Sequence, residues 1–220
     1  MAAIWTGGFP PARSAPHDAP TAGRGREQAR PVRDVLLRCA SDRSDPATLA
    51  IAGALASAFE RDGETLLPLP GLRADDTRRL MSHWFPGADR ALGLDWRRLD
   101  HARRSEPRAD EIEDVAALLV ESAARHRGAD PVRWLAHAMA CACLGGNHLW
   151  QDLQLPSRQE LSTLLQDWFP ALAARNTRNM KWKKFFYKQL CERADLRICK
   201  SPSCEVCSDH AVCFGPEEAA

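Results

Sequence analysis

The chain has 220 residues, of which 45% are hydrophobic, and a formal net charge of +1 at pH 7. This length fits one domain with tails, and the near-neutral charge argues against nucleic acid or a membrane surface as a partner. We find no run of about 18 apolar residues and no apolar export signal, so we expect a cytoplasmic protein. Eight cysteines in a reducing compartment indicate metal binding rather than disulfides.

Composition predicts an all-α fold, because Leu and Ala are frequent, Ile, Val and Tyr are few, and no segment alternates as a strand would. Residues 1–30 are rich in Pro, Gly, Ala and Arg and are predicted to be a disordered tail. Residues 31–196 are predicted to be a helical domain, and residues 197–220 a cysteine-rich loop that binds a metal cluster.

Capping residues and helical spacing of apolar residues place the individual helices. Two of them begin at an Asp-Pro pair, which supplies an N-cap and a proline at the first helical position, and a third begins at a capping box. In chain order, the first predicted helix covers 32–40, the second runs from Asp45-Pro46 to Gly63, and the third ends at Trp84. The fourth covers 109–127, with Gly128 as its C-terminal cap. The fifth runs from Asp130-Pro131 to Gly145, the sixth from Ser157 to Trp168, and the seventh covers 177–194.

Two stretches of the chain resemble each other. Leu80 and Trp84-Phe85-Pro86 recur 84 positions later as Leu164 and Trp168-Phe169-Pro170, and four alanines near residue 55 recur at the same offset. We predict an internal duplication of a helix–loop–helix unit. The loop of the second unit, 145–152, carries His148 and Asp152, which are metal-binding side chains that the first unit lacks.

Four cysteines lie within fifteen residues near the end of the chain, with the spacing C-x4-C-x2-C-x5-C: Cys199, Cys204, Cys207 and Cys213. Four thiolates so close together are ligands for an iron–sulfur cluster or another soft metal. The spacing favours an iron–sulfur cluster over zinc, because the long insert between zinc-binding knuckles is missing. Zinc and redox-active thiols stay open as alternatives.

The predicted helix before this tail carries aromatic residues on one face and lysines on another. Lys184 and Cys191 lie on the lysine face, where they could attract an oxyanion or offset the charge of a thiolate-bound cluster. An ordinary amphipathic helix is the alternative. Together with His148 and Asp152, these residues are further candidate metal ligands. Cys39, Cys141 and Cys143 fall inside predicted helices and are interpreted as small core residues.

Three sequence features together resemble the NifQ family, which serves bacterial nitrogen fixation: the stretch 147–153 (NHLWQDL), the run 180–187 (MKWKKFFY), and the four-cysteine tail. The likeness is firm over about residues 130–215. It implies a molybdenum–iron–sulfur cluster held by Cys199, Cys204, Cys207 and Cys213, with molybdate as the metal source. It also implies that the protein supplies molybdenum for the iron–molybdenum cofactor of nitrogenase, with the nitrogenase iron protein and the cofactor assembly scaffold as partners.

No nucleophile–base arrangement, phosphate-binding glycine loop or HExxH motif occurs in the sequence, so we expect a metal carrier and not an enzyme. Two alternatives stay open: an iron–sulfur electron-transfer protein, and an interaction domain held together by zinc. Metal and sulfide content would distinguish the three.

Overall fold

A computed structural model describes residues 31–62, 69–101, 106–195 and 210–217. Over these residues the chain forms helices and no β-strand, which confirms the all-α prediction. The helices are α1 (Val32–Cys39), α2 (Pro46–Asp62), α3 (Ala74–Trp84), α4 (Ala88–Ala91), α5 (Trp96–His101), α6 (Ala109–Glu121), α7 (Ala129–Cys143), α8 (Leu149–Asp152), α9 (Arg158–Trp168), α10 (Pro170–Ala173), α11 (Trp182–Arg193) and α12 (His210–Phe214). The predicted disordered tail, 1–30, lies outside the described residues.

Two alanine-rich helices, α2 and α7, pack against each other at the centre of the core. Helix α2 also approaches the residue after α8 closely: a Cβ atom at Gly53 would lie 2.0 Å from the carbonyl oxygen of Leu153. Helix α6 covers α7, α1 covers α2, and α11 packs on α6. None of the helices in the described ranges is both long and apolar enough to cross a membrane.

The predicted N-terminal caps of α2 and α9 are confirmed. The Asp45 carboxylate accepts hydrogen bonds from the backbone N–H and the hydroxyl of Thr48, both at 2.9 Å. The Ser157 hydroxyl accepts the backbone N–H of Glu160 at 3.2 Å. Each side chain satisfies a donor that the first turn of a helix leaves unpaired.

The predicted helix 109–127 is too long, because α6 ends at Glu121. The Ser122 hydroxyl donates to the carbonyl of Leu118, and the backbone N–H of Ala124 donates to the carbonyl of Trp168 at 2.9 Å. This long-range bond directs the chain away from the helix axis. The assignment of Gly128 as a C-terminal cap is also wrong, since Gly128 is the N-cap of α7.

The start of the last long helix differs from the prediction as well, since α11 begins at Trp182 and not at Thr177. Asn176 and Met180 exchange two hydrogen bonds, of 2.8 and 2.9 Å, and Asn179 adopts a φ of 55°. This turn precludes a continuous helix. In the cysteine-rich segment, which was predicted to be a loop, residues 210–214 form the short helix α12.

Candidate metal centre and its surroundings

Helix α11 is oriented by an aromatic face that comes from the run 182–186. Trp182, Phe185 and Phe186 are buried, and the indole N–H of Trp182 donates to the Ser162 hydroxyl at 3.2 Å. Successive residues of a helix are about 100° apart, so burial of these three rings gives neighbouring lysines different surroundings. Lys183 is directed toward the loop before α8, while Lys184 is exposed.

Lys183 closes the loop of residues 145–152. Its ammonium group donates to the carbonyl oxygen of Gly145 at 2.8 Å and to the Asp152 carboxylate. The second oxygen of Asp152 accepts the side-chain amide of Asn147 at 3.0 Å. The side chains of Lys183 and Asp152 are 16% and 13% exposed, so this pair fixes the loop on α11. The sequence analysis named Lys184 as a cation that could attract an oxyanion and did not single out Lys183, so the pairing of Lys183 with Asp152 was missed.

A partly exposed polar cluster lies behind this loop. Arg108 binds Glu111 through two hydrogen bonds of 2.7 Å and holds the pKa of that carboxyl below its usual range. The Tyr187 hydroxyl donates to the same carboxylate, and burial followed by this bond raises the pKa of Tyr187. Burial raises the pKa of the Cys143 thiol to about 12. Because thiolates are the metal-binding form, Cys143 is a core thiol, in agreement with the sequence prediction.

Cys141 and Cys39, the other two cysteines predicted to lie in the core, are half-buried. The Cys141 thiol donates to the carbonyl of Pro70 at 3.6 Å, which links α7 to the loop before α3. Both side chains therefore lie at the edge of the core.

The C-terminal segment packs against the beginning of α11. The backbone N–H of Lys181 donates to the carbonyl oxygen of Cys213 at 2.8 Å. The His210 and Phe214 rings stack with centroids 4.5 Å apart, and the Arg178 guanidinium lies 5.4 Å from the centroid of Phe214. Cys213 is thereby held, half-buried, at the surface of the helical domain.

The structure brings some of the predicted site residues together and separates others. His148, the N-cap of α8, lies against the C-terminal segment, with its Nδ1 atom 3.8 Å from a carboxylate oxygen of Glu217. Cys191 is ten residues beyond Lys181 on α11, so it lies about 15 Å along the helix axis from the end where Cys213 is bound. Cys199, Cys204 and Cys207 lie outside the described residues. Over the ranges that are described, no group of three or more His, Cys, Asp or Glu side chains has the arrangement of a metal site.

The chain was compared with known proteins. The family model described as NifQ matches residues 50–215. Protein NifQ of Azotobacter vinelandii is 45% identical over 166 residues, which cover 72% of this chain and 84% of the relative. The NifQ homolog of Sinorhizobium fredii is 39% identical over 149 residues, 67% of this chain and 61% of the relative. Protein NifQ of Rhodobacter capsulatus is 51% identical over 85 residues, 39% and 47% of the two chains.

No solved structure matches this chain. The family match spans three quarters of the sequence and includes helices α7 and α9, the loop closed by Lys183, and the whole four-cysteine motif. This chain belongs to the NifQ family.

Proposed function

We propose that this protein is an accessory protein of nitrogen fixation that carries a molybdenum–iron–sulfur cluster and supplies its molybdenum to the biosynthesis of the nitrogenase iron–molybdenum cofactor. The observation that carries the proposal is the family match, which extends to residue 215 and thus includes Cys199, Cys204, Cys207 and Cys213. Four thiolates are a donor set that suits iron–sulfur clusters, and the protein acts as a carrier of this cargo and not as an enzyme.

The surroundings of Cys213 support this function electrostatically. A thiolate-bound cluster is anionic, and the Arg178 guanidinium lies beside the segment that holds Cys213, 5.4 Å from the centroid of Phe214. A cation at this place offsets part of the negative charge of a cluster. Cys213 lies at the surface, where a cluster could be passed to another protein, whereas Cys143 is enclosed in the core.

The further candidate ligands take different parts in this proposal. Asp152 is engaged by Lys183 and Asn147, so we assign it to fixing the loop. His148 stays a candidate for contact with the cargo, because it faces the C-terminal segment. Lys184 is exposed and could attract molybdate, while Cys191 would need the cluster to lie toward the far end of α11.

Metal analysis tests the proposed function. The protein purified anaerobically from cells supplied with molybdate should be brown and contain iron, acid-labile sulfide and molybdenum. Cys199→Ser, Cys204→Ser, Cys207→Ser and Cys213→Ser should each lower the iron content several-fold. Cys39→Ser, which replaces a half-buried thiol of α1, is the matched control and should retain the metal.

Each alternative function predicts a different result of the same measurement. Iron and sulfide without molybdenum, together with reversible reduction, would indicate an electron-transfer protein. A colourless protein that contains zinc would indicate a zinc-bound interaction domain. Either result would contradict the proposal.

Entry of molybdenum can be tested separately. His148→Ala combined with Lys184→Ala should lower the molybdenum content per iron. Unchanged molybdenum loading would exclude these two side chains from the uptake of molybdate.

Delivery of molybdenum requires an acceptor. We propose the cofactor assembly scaffold and the nitrogenase iron protein as partners of the loaded protein. Transfer of molybdenum to the scaffold, measured after the two proteins are separated, should depend on loading, and a loaded protein that retains all its molybdenum in the presence of both partners would contradict this assignment.

A further inference from the structure

Glu217 is a buried carboxylate four residues beyond Cys213. Its side chain is only 4% exposed. Burial of a carboxylate costs several kcal/mol unless the charge is compensated. One oxygen of Glu217 lies 3.4 Å from Nη1 of Arg158, and the other lies 3.8 Å from Nδ1 of His148. The carboxylate therefore lies against the guanidinium group of Arg158 and the ring of His148 on the helical domain.

Arg158 connects two parts of the chain. While its Nη1 atom faces Glu217, its Nη2 atom donates to the carbonyl and side-chain oxygens of Asn179, both at 3.0 Å, and to the carbonyl of Met180 at 3.1 Å. Its side chain is 20% exposed. The guanidinium group thus fixes the turn before α11 and the segment after α12 relative to each other.

The same two segments are joined directly by the hydrogen bond from Lys181 to the carbonyl of Cys213. Between this bond and Glu217, the chain turns at Gly215, whose N–H donates to the carbonyl of Ala211 at 2.8 Å. A Cβ atom at Gly215 would lie 2.5 Å from that oxygen, so the turn requires glycine. The segment 213–217 is therefore attached to the helical domain at both of its ends, through Cys213 and through Glu217.

We infer that Glu217 is a positioning residue, which latches the C-terminal segment onto Arg158 and His148 and thereby fixes Cys213 at the beginning of α11. The purpose of the latch rests on the proposed function, since a fixed ligand slows the loss of the cargo. The latch itself is a property of the polypeptide and exists without metal. It assigns His148 to the anchoring of the segment that carries a cluster ligand.

Hydrogen exchange in the metal-free protein tests the latch. The amide of Lys181 is protected by its bond to Cys213, so its exchange rate reports whether the segment is attached. Glu217→Gln should raise this rate about tenfold, because it removes the negative charge that faces Arg158. Glu217→Lys should raise it further, because it places a cation against Arg158. Asp114→Asn, which removes an exposed carboxylate on α6, is the control and should leave the rate unchanged.

Metal release tests the positioning role. In the loaded protein, Glu217→Gln should release iron to a chelator several-fold faster than the original protein, after equal initial loading, while Asp114→Asn should not. Faster exchange at Lys181 with unchanged metal release would overturn the positioning role, because the contact would then only support the fold.

The two proposals fail in different ways. If the original protein contains no iron or molybdenum, the proposed function fails, while the exchange of the Lys181 amide still decides the latch. If the protein loads metal but Glu217→Lys leaves the Lys181 amide as protected as before, the latch is wrong and the proposed function stands.

Discussion

Helices α3 and α9 have the same length, eleven residues, and both their first and last residues are 84 positions apart. Each ends at a tryptophan followed by a fully buried phenylalanine, with φ and ψ of −131° and 62° at Phe85 and −132° and 53° at Phe169. The tryptophan rings themselves meet, with centroids 6.3 Å apart. We call these shared features, the eleven-residue length and the Trp-Phe end, the frame of the two helices. The internal duplication that would explain the frame stays a prediction.

The helices differ at their first residue. Helix α3 begins with Ala74, which is buried, whereas α9 begins with Arg158, which binds Glu217 and the turn before α11. The loop before α9 carries His148, the second residue that faces Glu217. The two helices therefore share buried apolar residues at their ends and differ at the first residue, where Ala74 is buried and Arg158 contacts the C-terminal segment.

Helices α2 and α7 each contact a loop at corresponding positions, but the glycine lies on the helix in one contact and on the loop in the other. Gly53 of α2 leaves room for the backbone of Leu153, which directly follows α8. Its counterpart 84 positions later is His137 of α7, which packs on Gly71, between α2 and α3. Gly71 has a φ of +83°, and a Cβ atom there would lie 2.6 Å from the His137 ring. In the first contact, the helix residue is small and makes room for backbone. In the second contact, the helix residue is the large His137, and glycine on the other side makes room for it.

The largest expected effect concerns the shared frame. Phe85→Ala and Phe169→Ala each remove a fully buried ring and should each lower the free energy of unfolding by about 3–5 kcal/mol. Denaturant unfolding of both variants measures this. A large loss for one variant and almost none for the other would show that the two helix ends are not equivalent.

The reversed contacts predict different responses to added methyl groups. Gly53→Ala should cost about 3 kcal/mol, since the new atom meets backbone that cannot rotate away. Gly71→Ala should also destabilise, but His137→Ala should relieve part of its cost, giving favourable coupling in a double-mutant cycle. Strictly additive losses for Gly71→Ala and His137→Ala would contradict the assigned contact.

The loop of the second unit provides a matched pair of glycines. A Cβ atom at Gly145 would lie 2.3 Å from the Asp152 carboxylate that Lys183 holds, while a Cβ atom at Gly146 meets nothing within 4 Å. Gly145→Ala should cost about 1–3 kcal/mol and Gly146→Ala less than about 0.5 kcal/mol in thermal or denaturant unfolding. Equal losses would show that the Lys183–Asp152 pair does not constrain the loop.

The smallest expected effect concerns the pH dependence of stability at the third residue of α3 and of α9. A hydrogen bond from Arg133 lowers the pKa of Asp76 in α3, whereas the counterpart of Arg133 in the first unit is Leu49. A lowered folded-state pKa stabilises the protein above the unfolded-state pKa of about 3.9, and this stability is lost as the pH falls through the folded-state value. Asp76→Asn should therefore cost about 1 kcal/mol at pH 7, and the difference should shrink below about pH 4.

Glu160→Gln is the control for this measurement, because Glu160 occupies the same position in α9 and both substitutions remove one carboxylate from the first turn of a helix. Its cost at pH 7 should be smaller than that of Asp76→Asn. If both variants showed the same pH dependence, the stabilisation of Asp76 would come from the helix dipole and not from Arg133.

Sequence patterns predicted those helix ends at which a local signal and the tertiary structure agree. Asp45 and Ser157 cap their helices with contacts three residues away, which can be read from the chain. The end of α6 was mispredicted, because it depends on the carbonyl of Trp168, more than forty residues away. The start of α11 was mispredicted because a turn stabilised by Asn176 and Arg158 competes with helical propensity.

The sequence by itself determined the helical fold, the repeated Trp-Phe-Pro frame and the four-cysteine motif, because these depend on residue type and short-range spacing. Tertiary structure alone decided which lysine binds Asp152 and what holds the C-terminal segment. Helical spacing assigns Lys184 to the lysine face, but the contact of Lys183 with Asp152 depends on how α11 docks against the loop of residues 145–152. Glu217 and Arg158 are 59 residues apart, and no periodic pattern relates them; their contact exists because burial of a carboxylate requires a compensating charge.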